Sequence, residues 1–288
     1  MKDFLKRWLA RAAPTSAPPL AFELSLALHS DAGPVRERNE DCIAALGGHG
    51  PDGRGALVAL ADGMGGHQAG ELASRLAVQA ALGAFEGQAA ANRSPAQHLH
   101  DALTAANDAV YQQAQRGVQW QGMGTTLLLL APTAAGFFVA WVGDSRLYLW
   151  RDACLTPLTR DDTLVQGLLV RGLITEGDVA KHPDRSVLTQ AVGTHTRIPS
   201  PHVQGPFELR LGDRFLLCSD GVHDVVPAQE LASALRAASP HEALHELHRA
   251  ALRGGADDNL SIGVVDIVAR PPEARRPRAT RQDVEVLS

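Results

Sequence analysis

The stretch TTLLLLAPTAAGFFVAWVGDSRLYLW, residues 125–150, sets the fold class. It contains three apolar runs of strand length: Thr125 to Ala131, Gly136 to Val142 and Arg146 to Trp150. Only short turns separate them, and no helix fits between. Neighbouring strands without a crossover helix pair antiparallel. Working outward, the same grouping recurs. Phe22, Leu24, Leu26 and Leu28 alternate with their neighbours as a strand with one buried face, and Gly55 to Ala61 reads as a short buried strand. Two helices follow in succession, Ala69 to Phe85 with Leu72, Leu76, Val78 and Leu82 at helical spacing, and Pro95 to Gln115 behind an N-cap-like Ser94. On the other side, strands are expected around Phe207 to Leu211 and Arg214 to Ser219. Helices are expected at Pro227 to Leu235 and Pro240 to Leu252, with a closing strand at Leu260 to Val268. Asp162 to Val192 reads as a helical, polar insertion. Strands adjoin strands and helices adjoin helices, so a doubly wound parallel sheet is disfavoured. The order predicts an α+β architecture of antiparallel sheets covered by helix pairs, with no internal repeat.

Composition narrows the partners. The chain has 288 residues, 45% hydrophobic and 20% charged, with 27 Lys+Arg against 32 Asp+Glu, a net charge of −5. That is globular composition and excludes a disordered, collagen-like or coiled-coil chain. The mild acidity argues against a general nucleic-acid binder. No run is long and apolar enough to span a bilayer. Lys6, Arg7 and Arg11 interrupt any secretory core, so a cytoplasmic protein is expected. Cys42, Cys154 and Cys218 are odd in number and widely spaced. They form neither a disulfide framework nor a zinc motif and are expected to be inert core residues.

Residues 1–20 form an extension. Met1 to Arg11 opposes Phe4, Leu5, Trp8 and Leu9 to Lys2, Lys6 and Arg7, and Pro14, Pro18 and Pro19 make the rest a linker. A disordered tail, a membrane-surface helix and a docking peptide all fit this segment. Residues 21–269 are the expected folded domain, and 270–288 an expected disordered tail rich in Pro, Arg and polar residues.

The aspartates carry the functional signal. Asp62, Asp144 and Asp220 each follow an apolar run, Asp258 precedes the closing strand, and Asp41, beside Glu40, borders the strand entered at Cys42. One Asp-Gly pair is an ordinary turn. Five carboxylates at strand ends, if they converge, repel one another unless a cation sits among them. Oxygen ligands without clustered His or Cys favour Mg²⁺ or Mn²⁺ over Zn²⁺. The Gly-rich turn Asp62-Gly63-Met64-Gly65-Gly66-His67 lets backbone groups approach a metal or an anion. No GxxxxGK[ST] motif is present, which disfavours a P-loop triphosphatase. Arg36 is either a phosphate-binding fork or a solvated surface charge.

At these residues the chain resembles the metal-dependent Ser/Thr protein phosphatases of the protein phosphatase 2C type, in wording close to the bacterial branch. The resemblance runs in order through Val35-Arg36-Glu37-Arg38-Asn39-Glu40-Asp41, Ala61-Asp62-Gly63-Met64-Gly65-Gly66-His67, Gly122-Met123-Gly124-Thr125-Thr126, Val142-Gly143-Asp144-Ser145-Arg146, Cys218-Ser219-Asp220-Gly221-Val222 and Asp257-Asp258-Asn259-Leu260-Ser261. It implies a four-layer α-β-β-α sandwich with two antiparallel sheets face to face. It also implies a binuclear Mn²⁺ or Mg²⁺ centre in a cleft at one end. Asp62 would bridge both metals and Gly63 lend its carbonyl. Asp220 and Asp258 would bind one metal, with Glu40 and Asp41 near the other, mostly through water. Asp144 would share a third, weaker position with Asp220. Arg36 would hold the substrate phosphate, and residues 159–193 would be the flap bordering the cleft.

The implied activity is hydrolysis of phosphoserine and phosphothreonine on proteins, opposing a bacterial Ser/Thr protein kinase. A metal-bound hydroxide would attack phosphorus directly, with Asp62 and Arg36 as the catalytic residues and no Cys or Ser nucleophile. The protein is expected to act as a monomer. Many relatives carry a His after the Asp-Gly pair as general acid. Met64 stands there and has no proton to donate, and His67 is a residue behind the metal ligands or at the helix start rather than a clear replacement. Two other classes compete: a phosphoprotein-binding module without activity, and a metal-dependent phosphodiesterase or nuclease. Intact Arg36, Asp62, Asp220 and Asp258 argue against the first, and the acidic balance against the second.

Overall fold

The computed structural model describes residues 22–47, 56–66, 68–87, 93–133, 135–270 and 284–287. The N-terminal extension and His67 lie outside them.

The elements are β1 (Phe22–Asp31), β2 (Asp41–Leu46), β3 (Leu57–Met64), α1 (Gln68–Gly87), α2 (Pro95–Ala114), β4 (Gly124–Thr125), β5 (Leu127–Thr133), β6 (Gly136–Val142), β7 (Arg146–Arg151), β8 (Cys154–Pro157), α3 (Leu164–Val170), α4 (Glu176–Val179), β9 (His202–Phe207), β10 (Arg214–Cys218), α5 (Asp220–His223), α6 (Ala228–Ala234), α7 (Pro240–Arg253), β11 (Leu260–Ala269) and β12 (Val284–Leu287). One antiparallel sheet runs β1-β11-β10-β7-β8. The other runs β12-β2-β3-β5-β6-β9, with β4 on β3.

Side-chain alternation explains the stacking. Along β5, Leu128 and Leu130 enter the core between the sheets, while Leu127, Leu129 and Ala131 face α1 and α2. Along β10, Phe215 and Leu217 face the other sheet, while Leu216 and Cys218 face α5, α6 and α7. Each central strand is buried on both faces, so it reads as a continuous apolar run rather than an alternating one. Three apolar layers, one between the sheets and one under each helical cover, hold the expected α-β-β-α sandwich together.

The expected helices are present. Ser94 caps α2 with a reciprocal box: its Oγ accepts from the Gln97 amide at 3.3 Å, and Gln97 Oε1 accepts from the Ser94 amide at 3.0 Å.

Several expectations need correction. The strand placed at Phe207 to Leu211 lies at His202–Phe207. Gly205 and Pro206 disguise it, and Pro206 is tolerated because β9 is a sheet edge. β8 carries no sequence signal, because its two-residue turn uses Asp152 and Ala153, both with left-handed backbone (φ 52° and 57°), and Ala does not mark such a turn. The insertion at Asp162 to Val192 is mostly turns with two short helices. Gly172, at φ +71°, ends the first, and Thr175 caps the second. Cys154 is exposed on the edge strand β8 rather than in the core, whereas Cys42 and Cys218 are buried as expected. Within the tail expected to be disordered, Val284–Leu287 forms an edge strand antiparallel to β2. Residues 271–283 and 288 are outside the described set.

The topology determines where the strand-end carboxylates go. In antiparallel pairs the end of one strand adjoins the start of the next. The start of β2 meets the end of β3, with Asp41 opposite Asp62. The start of β5 meets the end of β6, and the end of β10 meets the starts of β7 and β11. All five aspartates therefore fall at one end of the sandwich.

Candidate metal centre

That end opens as a cleft of about 760 Å³ whose walls include Arg36, Glu40, Asp62, Gly63, Met64, Asp144, Asp220 and Asp258. The insertion also lines it, through Ser186, Leu188, Thr189, Gln190 and Ala191. The structure brings together seven of the eight singled-out residues on the cleft wall. Asp41 lies beneath it, 1% exposed.

Each carboxylate is positioned by its backbone. β3 runs on past Ala61, so Asp62 sits within the strand rather than after it. The Asp62 amide donates to Thr126 Oγ1 at 2.8 Å. The Asp62 carbonyl accepts from the Thr126 amide and from Thr125 Oγ1, each at 2.8 Å. Thr126 is held in turn by Ser145, Oγ to Oγ at 2.8 Å. Asp220 opens α5, and His223 in the same turn bonds through Nε2 to the Asp144 carbonyl at 3.1 Å. Asn259 joins the two sheets at the site. Its Oδ1 accepts from the Glu40 amide at 2.8 Å, and its Nδ2 donates to the carbonyls of Arg38 at 2.8 Å and Ala32 at 3.1 Å. Arg146 grips Asp161 with two parallel bonds, Nε to Oδ1 at 3.0 Å and Nη2 to Oδ2 at 2.7 Å, one residue beyond Ser145.

The positioning roles of Thr126, Ser145 and Asn259 were not legible beforehand. Their polar side chains beside strand ends look like ordinary loop residues, although all three lie inside the motifs quoted above.

Negative charge is in excess here. Burial, then the charges of Asp41, Asp220, Asp144 and Asp258, hold the Asp62 carboxyl well above the usual carboxylate range. Burial, then Asp220 and Asp161, do the same to Asp144. Burial also raises Asp220, offset in part by His223. Asp62 and Asp220 keep a face toward the cleft, but protein surrounds their other sides. Burial raises Asp41 to about 7. Ser219 and Ser261 hydroxyls lie near enough to oppose this, yet neither Oδ atom has a partner in hydrogen-bonding geometry.

A buried carboxylate with two orphaned oxygens, beneath a wall of further carboxylates, is stable as an anion only with a cation close by. The donor set fits hard divalent cations, Mn²⁺ or Mg²⁺. Asp62, Asp220, Asp258, Glu40 and the Gly63 carbonyl could supply ligands.

The sign of the pH effect follows. The folded pKa values lie above the unfolded value of about 3.9, so the metal-free fold prefers the neutral acids. Its stability is full below that value and falls as pH rises through about 7. Chelated protein is expected to melt lower at about pH 8 than at about pH 5, and saturating Mn²⁺ to stabilise it more at the higher pH. Thermal melts at both pH values with and without Mn²⁺ check this; a chelated Tm that rises with pH would contradict it.

A sandwich of this order gathers its oxygen donors where the two sheets end. The chain belongs to the protein phosphatase 2C family, whose model matches residues 36–254. It is 41% identical over 246 residues to the serine/threonine protein phosphatase PstP of Mycobacterium tuberculosis, covering 85% of this chain and 45% of that protein. It thus spans about half the length of that relative. It is 32% identical over 240 residues to the serine/threonine phosphatase stp of Listeria monocytogenes, covering 82% of this chain and 93% of the other. The crystal structure of the catalytic domain of PstP in complex with two manganese ions superposes with a TM-score of 0.73 at 37% identity, over 86% of this chain and all of that one. No helix among the described residues is long and apolar enough to cross a membrane.

Proposed function

We propose that this chain hydrolyses phosphoserine and phosphothreonine monoesters on proteins, with Mn²⁺ or Mg²⁺ as cofactor, in opposition to a Ser/Thr protein kinase in the cytoplasm, and that it acts as a monomer. The observation that carries the reading is the convergence of Asp62, Asp144, Asp220 and Asp258 on one cleft, above the partnerless carboxylate of Asp41. The similarity to PstP and stp supports the substrate class.

In this reading Asp62, the Gly63 carbonyl, Asp220 and Asp258 would hold divalent cations, with Glu40 and Asp41 near them and Asp144, beside Asp220, as a weaker contributor. When bound, the cations would supply acidification of water and neutralisation of phosphoryl charge.

The chain's own residues position the ester. Arg36 stands at the cleft rim, with Nη2 on Asp258 Oδ2 at 2.8 Å and Nε on the Asp257 carbonyl at 3.2 Å. This guanidinium is 54% exposed, lines the cleft and can transfer its fork to phosphoryl oxygens. Met64 lines the cleft without a proton to give, and the general acid is left unassigned. The flap, residues 159–193, lines the cleft through Ser186, Leu188, Thr189, Gln190 and Ala191 and limits which peptides enter.

Arg36→Ala is expected to raise KM for a phosphothreonine peptide by about 10- to 100-fold with kcat within a few-fold, because it removes ground-state phosphate binding. An unchanged KM would remove Arg36 from the site. The class itself is tested by comparing a phosphothreonine peptide with a bis-aryl phosphodiester at saturating Mn²⁺. The monoester should be cleaved in strong preference, whereas diester preference would favour a nuclease-like enzyme.

A further inference from the structure

Among the described residues, the group of three side chains whose ligand atoms all lie within 4.8 Å of one another is not in the cleft. It is His29, Asp31 and His248. His29 and Asp31 are alternate residues at the end of β1, so both project from the face that carries α7. His248 comes from α7 itself. Both imidazoles reach the same carboxylate oxygen: His29 Nε2 and His248 Nε2 each lie 2.7 Å from Asp31 Oδ2. The rings meet edge to face, with centroids 4.9 Å apart. The other carboxylate oxygen is fixed by the Gly33 amide at 2.7 Å, which holds the carboxylate plane in place. The side chains are 38%, 34% and 24% exposed, so an ion can reach them.

Two nitrogen donors and one oxygen, brought from two elements and oriented by a backbone amide, make a ligand set unlike that of the cleft. The cleft offers carboxylates and carbonyls, suited to hard cations. Imidazole pairs suit zinc and its neighbours. Around a tetrahedral ion with bonds of about 2.0–2.1 Å, donor atoms stand roughly 3.3 Å apart. Each imidazole therefore needs to retreat by only about 0.6 Å from its present hydrogen bond, with its ring proton moved to Nδ1.

We propose that His29, Asp31 and His248 form a transition-metal site, separate from the cleft, that takes Zn²⁺ through two imidazole Nε2 atoms and one carboxylate oxygen, with water as fourth ligand. Its effect is mechanical. It ties the end of β1 to α7 beneath the loop that carries Arg36. That loop already packs on the cleft: a Cβ at Gly33 would lie 2.3 Å from the Asp258 carbonyl oxygen.

The test uses the full chain, stripped of metal and dialysed against Zn²⁺ with Mg²⁺ in large excess to occupy oxygen-ligand sites. Bound zinc is then measured in wild type, His248→Gln, His29→Gln and Asp62→Ala. Wild type and Asp62→Ala should retain about one more zinc per chain than either histidine variant. Co²⁺ should give the visible absorption of a tetrahedral site in wild type only where both histidines are intact. Zn²⁺ should raise the Tm of wild type more than that of the variants. Circular dichroism identifies a variant that fails to fold, and the other histidine variant then decides. Equal zinc content and identical Co²⁺ spectra in wild type and a folded histidine variant would overturn the proposal.

Discussion

Asp62→Ala is expected to lose at least about 10³-fold in phosphothreonine hydrolysis at saturating Mn²⁺, while the metal-free protein melts no lower than wild type. The two halves come from one arrangement. Asp62 lies among Asp41, Asp144, Asp220 and Asp258, and burial together with those charges makes its anion unfavourable in the metal-free fold. Removing it relieves that repulsion. Its backbone bonds to Thr125 and Thr126 survive the substitution, because they use the Asp62 amide and carbonyl. A variant that is folded, as stable or more so without metal, and inactive separates a functional carboxylate from a structural one. If activity were retained with metal saturated, Asp62 would have no place in the centre. If activity and metal-free Tm fell together, Asp62 would be structural. Kinetics and metal-free melts of the same preparation distinguish the three cases.

Gly63→Ala is expected to fail differently, through the backbone. A Cβ at Gly63 would stand 2.1 Å from the Gly70 carbonyl oxygen and 2.6 Å from that of Glu40. Both neighbours are main-chain atoms of other elements, so neither can rotate away. β3 would have to part from the first turn of α1 and from the Glu40 strand entry, where the Gly63 amide now donates to the Glu40 carbonyl at 3.0 Å. The expected cost is about 2–4 kcal/mol, a fall in Tm of roughly 5–15 °C, with turnover lost because Asp62 moves with the strand. Gly70→Ala offers the contrast. Its Cβ would first meet the Glu40 carboxylate, the far end of a flexible side chain. It would also stand 3.0 Å from the Gly63 carbonyl oxygen, a tight but smaller displacement, so the variant should keep most of the stability and lose activity as far as Glu40 and that carbonyl matter. Equal Tm losses in the two variants would contradict this distinction. Urea or thermal unfolding alongside steady-state rates measures both.

What could be read from the chain itself follows physical lines. The apolar runs Thr125 to Ala131 and Gly136 to Val142 were legible because burial on both faces leaves no polar gaps, although the first strand proper lies at Leu127–Thr133 and Gly124–Thr125 pairs separately with β3. The strand at His202–Phe207 was not, since its burial is partial and Gly205-Pro206 imitates a loop. Asp62, Asp144, Asp220 and Asp258 were legible as strand-end carboxylates, and antiparallel pairing then brings them to one end. Asp41 was placed correctly in the chain, but its depth beneath the cleft depends on how the two sheets stack. Thr126, Ser145 and Asn259 act through hydrogen bonds that span 64, 19 and 219 positions. No local pattern encodes such contacts. The His29–Asp31–His248 cluster is of the same kind: Asp31 and His248 are 217 positions apart, and only the packing of α7 on β1 joins them.

The most direct test of the central claim is phosphate release from a phosphothreonine peptide by purified protein, first with Mn²⁺ and then with excess chelator. The account predicts turnover with Mn²⁺, its loss on chelation and its return when Mn²⁺ is restored. Turnover unaffected by complete metal removal would contradict it, as would the absence of turnover in protein with confirmed Mn²⁺ in the cleft.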